Sequence, residues 1–172
     1  MSALFDNEEI GSRTKQGADS AVLANVLEKI WTSFGRCRTE YIEDLSHSLI
    51  LSLDVAHGCH PNFGNTNDLT NLPVLGKGFC IKADSNQKYT WDSEMIACLK
   101  HLCQDLAIPY QTCVKRTGSA GGGTIGPMIS SKIPARTVDI GVPLLSMHSS
   151  RELMGTKDQE SLEQLVTAVF NL

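Results

Sequence analysis

Apolar positions along the chain follow two rhythms. Short apolar runs closed by turn residues occupy positions 3–5, 48–55, 78–81, 110–114 and 137–140, and each is predicted to be a short, mostly buried strand. Between them lie segments with helical spacing. Residues 17–31 carry Ala21, Val22, Leu23, Val26, Leu27 and Ile30 three and four apart, a wide apolar stripe that leaves Glu28 and Lys29 to solvent. Residues 91–106 and 158–170 repeat the pattern. Strands alternating with helices predict an α/β fold: a mixed, largely parallel sheet with helices on both faces, formed by residues 1–172 as one unit. Ligands in such a fold sit beyond the carboxyl ends of the strands. The stretch 61–77, rich in Asn, Gly and Thr, reads as a long connection of the kind that often carries function.

Composition narrows the classes of function. With 41% hydrophobic and 20% charged residues, the 172-residue chain has enough apolar material for a packed core and no signature of disorder. A formal charge of -4, with scattered Lys and Arg, gives no reason to expect nucleic acid as a partner. No run of eighteen apolar residues and no signal-type segment is present, so the expectation is a cytoplasmic protein without membrane contact. The six cysteines form no C-x-x-C pair and read as reduced, mostly buried thiols.

Chemistry concentrates at three places. Glu8 and Glu9 follow the first apolar run and precede Gly11; adjacent carboxylates at a strand end point in different directions. One can then bind a metal while the other takes a proton from water. Asp54 ends the second run, followed by His57 and His60, and His148 follows the last strand. Each also has an ordinary reading: surface carboxylates for Glu8 and Glu9, a turn or cap aspartate for Asp54, loop histidines for the rest. Carboxylates with one imidazole and no thiolate suit zinc, manganese or cobalt. Sequence spacing alone does not bring the three places together.

Gly121, Gly123 and Gly126 spell G-x-G-x-x-G, the outline of a dinucleotide fingerprint. That reading needs a full helix and an acidic residue about 20 positions on. Pro127 and Pro134 leave little helix, and Asp139 comes too soon. A glycine loop lining a substrate cleft is the better expectation.

The segments Asp6-Asn7-Glu8-Glu9-Ile10-Gly11-Ser12, Asp54-Val55-Ala56-His57 with His60-Pro61-Asn62, Gly123-Thr124-Ile125-Gly126-Pro127, and Met147-His148-Ser149 with Arg151-Glu152 occur in an order that resembles the aspartyl aminopeptidase and vacuolar aminopeptidase I family of dinuclear zinc peptidases. The resemblance implies a zinc-exopeptidase-like fold, of which this chain is the carboxy-terminal part of the catalytic domain. It also implies removal of an amino-terminal residue, often Asp or Glu, from a peptide. By the same resemblance Glu8 is the general base and acid, Glu9 and His148 ligate one zinc, and Asp54 ligates the other. Two Zn2+ per complete site are implied, with Mn2+ or Co2+ as substitutes, and complete family members are homo-oligomers. Lys82 matches a family lysine facing the substrate's acidic side chain and Tyr89 a substrate-facing tyrosine; a surface lysine is the competing reading of Lys82. The family's remaining zinc ligands, a histidine and a bridging aspartate, precede the Asp-Asn-Glu-Glu motif, and the inserted assembly domain is absent here. The chain by itself is therefore expected to be a weak or inactive peptidase, and a catalytically dead module that keeps the fold is the alternative.

Overall fold

The computed structural model describes residues 1–64, 67–116, 118 and 121–172. Its elements in chain order are a short 3-10 turn Glu8–Ile10, α1 (Val22–Ser33), α2 (Arg38–His47), β1 (Leu49–His57), β2 (Phe79–Ala83), α3 (Ser93–Asp105), β3 (Tyr110–Val114), α4 (Ile125–Ser130), β4 (Arg136–Leu145), β5 (Leu153–Met154) and α5 (Thr156–Phe170). The strands form one mixed sheet in the order β1-β4-β2-β3, with β5 beside the end of β4. β1 runs parallel to β4 and β2 parallel to β3, while β2 and β5 are antiparallel to β4.

β4 is the spine of the sheet and is buried from Thr137 to Leu144. On one face Phe79, Ile81, Val138 and Ile140 pack against Met95, Leu99 and Cys103 of α3 and Leu165 of α5. On the other, Ile50 joins Ile129, Ile133 and Ala135, with Leu23 and Leu27 of α1. Helices thus cover both faces, as the alternating pattern predicts. Buried polar groups fix the entry to β2: the Asp158 carboxylate in the first turn of α5 accepts from the amides of Gly76 and Gly78, each at 2.6 Å, and Ser161 Oγ accepts from Phe79 N at 2.8 Å. A carboxylate in a helix's first turn is also favoured by the helix dipole. The clamp sets the register of β2, and with it the position of Lys82.

Several elements differ from what the sequence pattern predicts. Residues 3–5 form no strand; Leu4 is 97% exposed, and Phe5 reaches the second core cluster from an irregular segment. The helix expected over 17–31 begins only at Val22, because residues 12–20 are spent on turns that hold the amino-terminal segment. α2 is an addition: its sequence is polar, and it is fixed by a capping box at Cys37 and Glu40 and by the Tyr41 hydroxyl donating to Ala24 O at 3.0 Å. β4 extends to Leu145, through Gly141 and Pro143. Its antiparallel neighbours pair only at Ile140–Gly141 and at Leu144–Leu145, so Pro143 falls in the gap between them.

Candidate metal and peptide site

Glu8 and Glu9 are presented by a turn instead of a strand end. Asn7 (φ 61°) and Gly11 (φ 101°) flank the turn in left-handed conformations, which Gly adopts without strain and Asn more readily than most residues. The turn is closed by Gly11 N donating to Glu8 O at 3.0 Å and Ser12 N to Asn7 O at 2.9 Å, and tied down by Asn7 Nδ2 donating to Thr14 Oγ1 at 2.9 Å. The expected division of labour between neighbouring carboxylates therefore rests on turn geometry.

Glu9 meets His148, with Oε2 3.0 Å from Nε2. His148 comes from the loop after β4 and holds a positive φ of 65°, with its amide donating to the Glu152 carboxylate. Both side chains are mostly exposed, so the contact by itself contributes little stability.

Asp54 lies inside β1, paired in register with Gly141, and is not the strand's last residue as the sequence suggested. A Cβ on Gly141 would stand 2.4 Å from the Asp54 carbonyl oxygen, so the two backbones meet where no side chain fits. The Asp54 carboxylate faces Lys82, whose Nζ donates to Asp54 Oδ2 at 3.3 Å and to Val55 O at 2.8 Å. Lys82 is only 2% exposed, which rules out the surface-lysine reading. Its ammonium also lies 4.6 Å from the centre of the Tyr89 ring. Tyr89 is buried, and burial first, then nearby acidic groups, push its phenol up to about 12.

Glu8 is exposed at the surface, and its carboxyl feels the charges of all these groups. It is raised above the ordinary range, first by partial desolvation, then by the charges of Asp54 and Glu9, with Lys82 and His148 opposing. His57, at the end of β1, also belongs to this neighbourhood. Although the residue is exposed overall, its imidazole is pushed down first by partial desolvation, then by Lys115, Lys82 and His148. By sequence alone His57 reads as a loop histidine; its position three residues after a strand carboxylate is the available signal. His60 turns elsewhere, accepting from Asn62 N at 3.1 Å, with its ring 5.2 Å from that of Phe63.

The glycine-rich stretch lies partly outside the described residues. Gly123 packs on the backbone of Lys88, and Gly126 packs on the Asp139 carboxylate, where a Cβ would come within 2.4 Å of Oδ2. The helix that follows has six residues, too short for a dinucleotide site. A cavity of about 350 Å³ opens beside Tyr89, between Gln87, Trp91, Pro127 and Ser130; it adjoins the tyrosine and not the carboxylates.

Glu9 and His148 supply one carboxylate and one imidazole, donor types that suit zinc. Among the described residues, however, no three His, Cys, Asp or Glu side chains come together as a metal site. A catalytic zinc typically has three protein ligands, so these residues form an incomplete set.

Comparison with known proteins gives this arrangement a family. The model of the aminopeptidase I zinc metalloprotease (M18) family matches residues 1–170. The chain is 47% identical over 170 residues to a probable M18 family aminopeptidase 2 of Clostridium acetobutylicum, a match covering 99% of this chain and 39% of the relative. It is 41% identical over 166 residues to aspartyl aminopeptidase 1 of Schizosaccharomyces pombe, covering 96% and 35%. Its fold superposes on the solved mApe1 dodecamer of Saccharomyces cerevisiae with a TM-score of 0.80 at 31% identity, covering 98% of this chain and 37% of that one. The chain thus spans well under half the length of these relatives. It belongs to the aminopeptidase I zinc metalloprotease (M18) family, as the order of its motifs implied.

Proposed function

We propose that this chain is the carboxy-terminal portion of a metallo-aminopeptidase catalytic domain that removes the amino-terminal residue, Asp or Glu by preference, from peptides in the cytoplasm. The observation that carries the reading is the convergence on Glu8 of the Glu9–His148 pair and the Asp54–Lys82 pair. Zinc, when bound by a complete ligand set, supplies an activated water. In this chain Glu9 and His148 are the proposed donors to one ion and Asp54 to the other, with the remaining donors coming from sequence outside these 172 residues.

The chain's own residues have these roles. The Glu8 carboxylate accepts the proton of the attacking water and returns it to the departing amine, as a positioned general base and acid. Lys82 holds Asp54 in orientation and, with Tyr89, faces the substrate's first residue. Complete enzymes of this kind are proposed to act as homo-oligomers, in line with the dodecameric relative. Among the described residues no helix is long and apolar enough to cross a membrane.

Zinc titration of the purified chain, read by competition with a chromophoric chelator, tests the donor assignment. Glu9→Ala, Asp54→Ala and His148→Ala are each expected to lower zinc affinity, while Glu8→Gln leaves it in place. If all three alanine variants bind zinc as the wild type does, the assignment is wrong.

A further inference from the structure

Two ammonium groups share the Tyr89 ring, and they differ in what they are free to do. Lys82 Nζ lies 4.6 Å from the ring centre and already donates to Asp54 and to Val55 O. Lys115, the first residue after β3, places its Nζ 5.7 Å from the same ring centre. That nitrogen is buried and has no hydrogen-bond partner among the described residues. An ammonium has three donors, and removing it from water without acceptors is costly. The surroundings sharpen this cost: burial first, then Lys88, push the Lys115 ammonium toward its neutral form, while Asp84 and Cys113 oppose.

Lys115 lies beside the Tyr89 ring, close enough to His57 for its charge to act there. Its charge heads the charges felt by His57, ahead of that of Lys82. Gly121 abuts it: Lys88 Nζ donates to Gly121 O at 2.9 Å, and a Cβ on Gly121 would lie 2.5 Å from Lys115 Nζ. Glycine at 121 is what lets the ammonium occupy this place. A buried, unpartnered cation beside a substrate-facing tyrosine is a group in need of an anion.

We propose that Lys115 is a second carboxylate-binding residue of this site and contributes to selecting acidic substrates. Lys82 is largely committed to orienting Asp54; Lys115 brings three unused N–H donors. The carboxylate comes from one of two sources, the side chain of the first residue or the free carboxy-terminus of a short peptide. The inference rests on the aminopeptidase reading of the cleft.

Calorimetric titration of the 172-residue chain in excess zinc, with L-aspartic acid α-amide, L-leucinamide and the dipeptide Leu-Gly, tests it. Removing a charge-assisted hydrogen bond should weaken binding by about tenfold or more. Lys115→Met is therefore expected to reduce the preference for aspartic α-amide over leucinamide by that factor if the side chain is the source. If the carboxy-terminus is the source, the preference for Leu-Gly over leucinamide falls instead. Lys115→Arg should retain the preference, and Gly121→Val, which displaces the ammonium without removing it, should lower it. The same comparison holds if Lys115→Met proves poorly folded. A wild-type chain with neither preference, or a Lys115→Met protein with both intact, overturns the proposal. Zinc binding that depends on Glu9 and His148 would in that case leave the aminopeptidase reading standing, whereas zinc-independent failure of all three ligands to bind would count against both.

Discussion

Gly141→Ala puts the smallest change at the tightest point of the sheet. In the β1–β4 ladder Gly141 is opposite Asp54, and the added Cβ would stand 2.4 Å from Asp54 O, 2.8 Å from Asp54 C and 2.8 Å from Val55 C. These are backbone atoms of a paired strand and cannot rotate aside. An ordinary carbon–oxygen contact is about 3.3 Å, so the strands must part locally by about 1 Å. Overpacking of this kind costs about 1–3 kcal/mol. Stretching roughly two ladder hydrogen bonds adds about 1 kcal/mol each, for a total of about 3–5 kcal/mol. Against a domain stability of about 5–15 kcal/mol this is a large fraction. With a urea dependence near 2 kcal/mol per molar, the unfolding midpoint should fall by about 2 M. Gly122→Ala is the control, because a Cβ there meets nothing within 4 Å; its effect should stay within about 0.5 kcal/mol. Zinc affinity should drop in Gly141→Ala and not in the control, because the shift moves Asp54 relative to Lys82. Coincident urea curves for the two variants would refute the register and the close approach on which the site is built.

Other expectations follow from single groups. In a complete enzyme containing this segment, Glu8→Gln should lower kcat by about 10²–10⁴ with zinc retained, and activity within about tenfold of wild type would exclude Glu8 as the acid–base group. Lys82→Met should reduce the ratio of aspartyl to leucyl kcat/KM, and an unchanged ratio would remove Lys82 from specificity. Burial raises the Asp139 carboxyl above its ordinary value of 3.8, so the folded state holds the proton more tightly than the unfolded chain and loses stability as pH rises from the unfolded value through the folded one. Urea unfolding of Asp139→Asn, whose side-chain oxygen can still accept from Thr90 N, should therefore gain on wild type as pH rises above the ordinary carboxyl range near about 4, and a pH-independent difference would contradict this. Native thiol labelling should reach Cys37 and Cys98, which are exposed, and spare Cys80, Cys103 and Cys113; burial pushes the Cys103 thiol up to about 11 and raises the other two.

The parts of the fold legible in the sequence were those where hydrophobic period and length agreed. β3 lies where its apolar run predicts, and α3 and α5 match their stripes to within two residues at each end. The run at 3–5 misled because three apolar residues carry no period, and only Phe5 finds the core. α2 was silent because tertiary contacts and a capping box hold it, not an apolar stripe. The carboxy-terminal half of β4 was hidden by Gly141 and Pro143, residues that ordinarily end strands; here close approach to Asp54 and a gap in pairing place them inside one. At the site, the residue types and their order along the chain were readable. The depth of Lys82 was not readable, because nothing in Cys80-Ile81-Lys82-Ala83 says that a carboxylate waits 28 positions upstream. Nor was the place of the Lys115 ammonium, which has no hydrogen-bond partner among the described residues and fits only because position 121 lacks a side chain.

The central claim, that these residues form one side of a two-zinc aminopeptidase site and need the rest from elsewhere, is tested most directly by complementation. The purified 172-residue chain is assayed on aspartyl and leucyl p-nitroanilides in zinc, alone and mixed with the section of the Clostridium acetobutylicum relative that this chain does not span. The account predicts no turnover and substoichiometric zinc for the chain alone, and chelator-sensitive turnover of the mixture that disappears with Glu8→Gln. Robust chelator-sensitive turnover by the chain alone would contradict it, as would turnover of the mixture that survives Glu8→Gln.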